Sequence, residues 1–98
     1  MIQKLSPIHP GEILFEEFLK PLGMNSHQLA MALRVPPNRI AQIIEGRRAI
    51  TAETALRLGR YFAVNPQFCL NLQSSYNLRV ASREHQAQID RDVQPRAE

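Results

Sequence analysis

Seven prolines and four glycines divide this 98-residue chain into short pieces, and their placement limits the fold more than any other feature. Proline lacks a backbone donor and is tolerated at the first turn of a helix, whereas glycine relieves the left-handed turn at a helix end. Between these breaks apolar residues recur at helical spacing, and no alternating strand pattern of useful length appears. An all-α domain built from five helical segments is expected.

The sharpest frame is "VPPNRIAQIIEGRRAIT", residues 35 to 51, in which Pro36 and Pro37 open a helix and Gly46 stops it. Before it, a first helix is expected from near Pro10, with Glu12 close to the positive helix N-terminus. Leu14, Phe18 and Leu22 mark its apolar stripe, Phe15 and Leu19 lie alongside, and Pro21 and Gly23 end it. A second helix starts at Asn25, which can cap it while Gln28 reaches back, and runs to about Leu33. The fourth starts at Thr51, a good N-cap, with Glu53 in its first turn; Ala55, Leu58, Gly59 and Phe62 share a face until Asn65-Pro66 interrupts. The fifth restarts after Pro66 and aligns Phe68, Leu72 and Tyr76, with Cys69 and Leu70 beside them.

Length and a hydrophobic content of 44% fit one small domain, assigned to residues 1 to 80. Residues 81 to 98 hold few apolar side chains and form a polar tail, either an extension of the fifth helix or disordered. A single cysteine, Cys69, excludes an internal disulfide framework, and no stretch suits a signal peptide or a membrane helix, so a cytoplasmic, nucleoid-associated location is expected.

The formal charge of +3 is unevenly spread. Residues 1 to 24 carry −1 and residues 61 to 98 cancel, while residues 25 to 60 set Arg34, Arg39, Arg47, Arg48, Arg57 and Arg60 against Glu45 and Glu53, giving +4. A central excess of this kind suits a polyanionic partner, although a solvated arginine-rich face would have the same composition.

The second and third helices, joined by "RVPP", have the spacing of a helix-turn-helix over about residues 26 to 45, whose second helix enters the DNA major groove. Ile40, Ile43 and Ile44 fall on one side of the third helix, which leaves Asn38, Arg39, Gln42 and Glu45 on the other. Asn and Gln amides pair with adenine N6 and N7, and Arg with guanine O6 and N7. Pro37 has two open roles, helix starter or apolar contact with a thymine methyl. Arg47 and Arg48 stand where guanidinium groups hold phosphate without reading sequence, and Ser26 can donate to a phosphate beside backbone N–H groups.

"HPGEILFEEFLKPLGMNSHQLAMALRVPPNRIAQIIEGRRAITAETALRLGRYFAVNPQFCLNLQSSYNL", residues 9 to 78, closely resembles the HigA-type antitoxins, also called virulence-associated protein I, within the Xre or lambda-repressor-like helix-turn-helix group. "HPGE", "GRR-IT-ETALRL" and "FCLNLQ" carry the resemblance. It implies a five-helix repressor-like domain, a homodimer on an operator with an inverted repeat, autoregulation of a toxin-antitoxin operon and binding of a HigB-type ribonuclease toxin. It also assigns the groove-facing positions to Pro37, Asn38, Arg39 and Gln42. One departure is Arg34, where many repressor-like proteins have glycine or asparagine in the turn. A stand-alone Xre-type regulator without a toxin is the alternative reading.

Apolar excess on the fifth helix, together with the resemblance, suggests a dimer interface involving Phe68, Leu70, Leu72, Tyr76 and Leu78, although packing on the first and fourth helices would also claim Phe68 or Leu72. Glu16 and Glu17 diverge around a helix, and His9, His27 and His85 are isolated from any second ligand at metal spacing. Cys69 reads as a small packed side chain. With no phosphate loop and no Ser/His/Asp set, no catalytic role, metal or cofactor is expected.

Overall fold

The computed structural model describes residues 7 to 97, and among these it contains five helices and no strand. Helix α1 is one continuous run: an α-helical turn Pro10–Ile13, a π-helical middle Leu14–Leu19 and a last turn Lys20–Leu22. It is followed by α2 (Ser26–Leu33), α3 (Pro37–Ile44), α4 (Ala52–Phe62) and α5 (Pro66–Asp92).

The π winding corrects the expected first stripe. Lys20 donates its backbone N–H to the Phe15 carbonyl, five residues back. Leu14 and Leu19, also five apart, are therefore both buried, while Leu22 is 60% exposed. Phe18 packs partly on the core and stacks with Phe62 at a centroid separation of 4.9 Å. Nor does Pro21 end the helix. The wide winding before it makes room for its ring, and the chain turns only at Gly23.

The predicted caps form. Asn25 Oδ1 accepts from the Gln28 N–H at 2.7 Å, and Gln28 Oε1 accepts from the Asn25 N–H at 2.9 Å. Thr51 caps α4 as expected, and Asn65, read in the sequence only as part of a break, caps α5. Four helices end in one motif: Gly23, Arg34, Gly46 and Ala63 take φ between 57° and 80°. The next residue then donates its N–H five residues back, Met24 to Leu19, Val35 to Ala30, Arg47 to Gln42 and Val64 to Gly59.

The core gathers Leu14 and Leu19 of α1, Leu29, Ala30 and Leu33 of α2, Ile40 and Ile43 of α3, Ala55 and Leu58 of α4, and Cys69 of α5. Val35 and Ile50 close it from the connections. Ile40 and Ile43 are fully buried, which contributes about 1.5–3 kcal/mol each to holding α3 on the domain. At Gly11 a Cβ would lie 1.7 Å from the Ile43 carbonyl oxygen, so the backbones of α1 and α3 meet where only glycine fits. On α5 the inward positions are Cys69 and Gln73 rather than the expected Phe68, which is 44% exposed. The helix then continues through residues whose side chains, from 81 to 92, are exposed on all sides.

Candidate nucleic-acid interface

Helix α3 owes its orientation to its apolar face. With Ile40 and Ile43 buried and Ile44 against the core, Asn38, Gln42 and Glu45 lie along the opposite side with Ala41 on its flank, and Pro37 is exposed at the start of the helix. Pro36 stands at the N-cap and Pro37 at the first helical position. Asn38 is exposed and Gln42 half-buried, one turn apart. Arg39 is half-buried on the flank, and with Arg48 and Thr51 it lines one shallow depression. Ser26, at the start of α2, lines a second notch with Asn25, Ala41 and Glu45. The expected positions thus converge on one edge of the domain, made by the N-terminus of α2, the outer face of α3 and the connection to α4. Ala41 and Thr51 also border it and escape detection in the sequence, because neither is charged nor bears an amide.

The arginines of the central excess divide into different roles. Arg47 pairs with Glu45, its Nε donating to Oε1 at 3.0 Å. Arg48 donates from Nε to Oε1 of Gln42 at 2.9 Å. Arg57 has a structural role: its Nη1 donates to the Leu33 carbonyl at 2.8 Å, its other nitrogens pair with Glu53, and it ties the end of α2 to α4. Arg34 forms the left-handed end of α2 with φ 61° and ψ 45°, a conformation that glycine or asparagine adopts more readily than arginine. Thus Arg39, Arg47 and Arg48 border the edge itself.

Behind the edge sits a buried amide. Gln73 on α5 accepts from the Ile50 N–H at 2.8 Å and donates to Asn77 at 3.0 Å, which satisfies a side chain only 6% exposed. This bond joins α5 to the connection that carries Arg47 and Arg48. On the other side His9 caps α1, its Nδ1 accepting from the Gly11 N–H at 2.9 Å, and its ring meets Tyr76 edge-on at 4.8 Å. Burial pushes the His9 pKa below its ordinary value of 6.5.

The five residues of the expected dimer surface do not share one face. Leu70 packs against the core, Leu72 and Tyr76 are half-buried, and Phe68 and Leu78 are exposed, Leu78 at 70%. Cys69 is buried, which pushes its thiol pKa up and fits a packed side chain. Among the described residues no group of three or more His, Cys, Asp or Glu side chains could hold a metal ion.

The helix-turn-helix family matches residues 15 to 69. Virulence-associated protein I of Dichelobacter nodosus is 51% identical over 84 residues, covering 86% of this chain and 78% of that protein. A solved structure described as Pseudomonas aeruginosa antitoxin HigA with the higBA promoter superposes with a TM-score of 0.91 at 43% identity, covering 93% of this chain and 99% of that one. An addiction module antidote protein of the HigA family from Coxiella burnetii superposes with a TM-score of 0.89 at 44% identity, over 94% of this chain and 100% of that one.

Proposed function

The chain belongs to the Xre-like helix-turn-helix family that includes virulence-associated protein I and the HigA antitoxins, and from that premise we infer that it is a sequence-specific DNA-binding repressor and the antitoxin of a HigBA-type module. It binds operator DNA, represses its own operon and neutralises a HigB-type ribonuclease toxin. Two copies set their α3 helices into successive major-groove half-sites of an inverted repeat, about 34–36 Å apart. The family acts by binding DNA rather than by catalysis.

One observation carries the DNA-binding reading. The isoleucines that fix α3 leave Asn38 and Gln42 outward on the edge that also holds Arg39, Arg47, Arg48 and Ser26. In this reading Asn38, Arg39 and Gln42 contact bases, Pro37 starts the helix and borders the groove, and Arg47, Arg48 and Ser26 hold phosphates. The exposed Phe68 and Leu78 and the half-buried Leu72 and Tyr76 of α5 are available to a second subunit, while Leu70 packs against the core. No helix among the described residues is long and apolar enough to cross a membrane, and we assign the protein to the cytoplasm and the nucleoid.

Gln42→Ala is expected to lower affinity by about 1–3 kcal/mol and to relax preference at one base pair. Arg47→Ala should weaken binding to every sequence and reduce the slope of log K against log salt by about 1. Fluorescence anisotropy on specific and random duplexes separates the two; equal losses on both for Gln42→Ala would refute base reading. Coexpression with the neighbouring gene product, followed by copurification and a growth test, distinguishes an antitoxin from a stand-alone regulator.

A further inference from the structure

Arg48 touches a base-reading side chain as well as facing the solvent where phosphate would lie. Its Nε donates to Oε1 of Gln42 at 2.9 Å, across six positions of the sequence. A guanidinium carries donors and no acceptor, so the oxygen of the Gln42 amide, and not its nitrogen, must face Arg48. The amide can then no longer turn over freely, and its NH2 group is directed away from Arg48.

The backbone that carries Arg48 is fixed on both sides. Just before it, the Arg47 N–H donates to the Gln42 carbonyl at 2.8 Å and closes the end of α3. Two residues after it, the Ile50 N–H donates to the buried Gln73 amide at 2.8 Å. The bond to Gln42 uses only Nε, and Nη1 and Nη2 make no hydrogen bond among the described residues. One arginine can therefore orient Gln42 and still meet a phosphate.

We propose that Arg48 is a specificity-determining positioning residue, which holds the Gln42 amide so that it presents N–H donors to the major groove. The inference rests on the reading of α3 as the groove-facing helix. A donor-presenting amide favours base edges that offer acceptors, guanine N7 and O6, adenine N7 or thymine O4, and disfavours cytosine, whose N4 is a donor. With its oxygen held by Arg48, Gln42 gives up the bidentate pair with adenine N6 and N7. Without Arg48 the amide rotates, offers its oxygen to cytosine equally well, and loses that discrimination.

The test starts from a duplex pool randomised over 30 base pairs and enriched by the wild-type protein, from which a consensus and its single-base-pair variants are made. At the pair that Gln42→Ala identifies, the wild type is expected to bind the cytosine variant about tenfold more weakly than its preferred base. Arg48→Ala should cut this penalty to about twofold, whereas Arg47→Ala, which removes the same charge one residue away, should leave it at tenfold. In a Gln42→Ala background, Arg48→Ala should weaken binding to all variants alike. Arg48 is exposed, so its removal leaves the core intact, and a circular dichroism melt checks this. An undiminished cytosine penalty in Arg48→Ala overturns the proposal, as does a change of preference that persists without Gln42. If Gln42→Ala keeps every base preference, Gln42 does not read bases and this inference falls with it. A pool that yields no consensus instead overturns the DNA-binding reading as a whole.

Discussion

Helix α3 and the outer half of α5 are both helical and both rich in polar side chains, but the fold holds only α3 by one face. Two fully buried isoleucines fix α3, and its carboxyl end lies against Gly11 at a distance that excludes a Cβ. From residue 81 to 92, α5 is exposed on every side. A polar face has a defined direction only when the opposite face is anchored. Asn38 and Gln42 therefore project as a pair with a fixed spacing, whereas the glutamines and arginines of the outer α5 surround their helix without a common direction.

The largest effect is expected where that anchoring is most direct. Gly11→Ala would push a methyl group into the Ile43 carbonyl and force α1 and α3 apart. We expect a loss of about 3 kcal/mol or more, a large part of the stability of a domain this size, together with loss of operator binding. Urea unfolding followed by circular dichroism measures it. A variant of near wild-type stability would show that the two helices are not held in contact.

A smaller effect comes from the other side of the same contact. His9 accepts from the Gly11 N–H through a neutral Nδ1, and burial lowers its pKa from 6.5. In the unfolded chain the ring titrates near its ordinary value, so at pH values between the folded and unfolded pKa the unfolded state binds more protons. Stability is then fully present above about pH 6.5 and declines as pH falls through the lowered folded value. His9→Asn keeps an acceptor at the N-cap but does not titrate. It should flatten this part of the profile of unfolding midpoint against pH, and an unchanged slope would assign the acid sensitivity to other groups.

The anchored region was also the more legible one in the sequence, for physical reasons. Caps are local, so Asn25 with Gln28, the two prolines and Gly46 announced the limits of α2 and α3, and isoleucine spacing gave the inward face. Helix α1 was legible in position but not in winding, because Leu14 is compatible with a partner four or five residues away and only packing selects Leu19. The buried face of α5 was hidden because Gln73 is polar, and its burial depends on an Ile50 N–H that lies 23 residues earlier. Ala63 gave no sign of its left-handed turn, since nothing in an alanine marks positive φ. For the site, residue identities were readable and pairings were not. Whether Arg48 meets Gln42, or Arg57 meets Leu33, depends on backbone that the rest of the fold positions.

The smallest effect is expected at the unanchored end, and it tests the other half of the comparison. Pro7 lies beside α5 near Leu78, Arg79, Ser82 and Arg83, so a cut intended to spare that contact must come later. Removing residues 85 to 98 takes away only exposed side chains among those described. Helical ellipticity should fall with the shortened α5, while the urea midpoint of the remaining domain shifts by less than about 0.5 kcal/mol. An isolated helical segment as short as residues 85 to 92 is marginal in water, so its helicity depends on being continuous with the packed segment from Pro66. A large drop in stability would mean that the outer half of α5 is anchored after all, by contacts with a second copy. Repeating the measurement at several protein concentrations separates that outcome, because stability drawn from a second copy rises with concentration and stability drawn from within one chain does not.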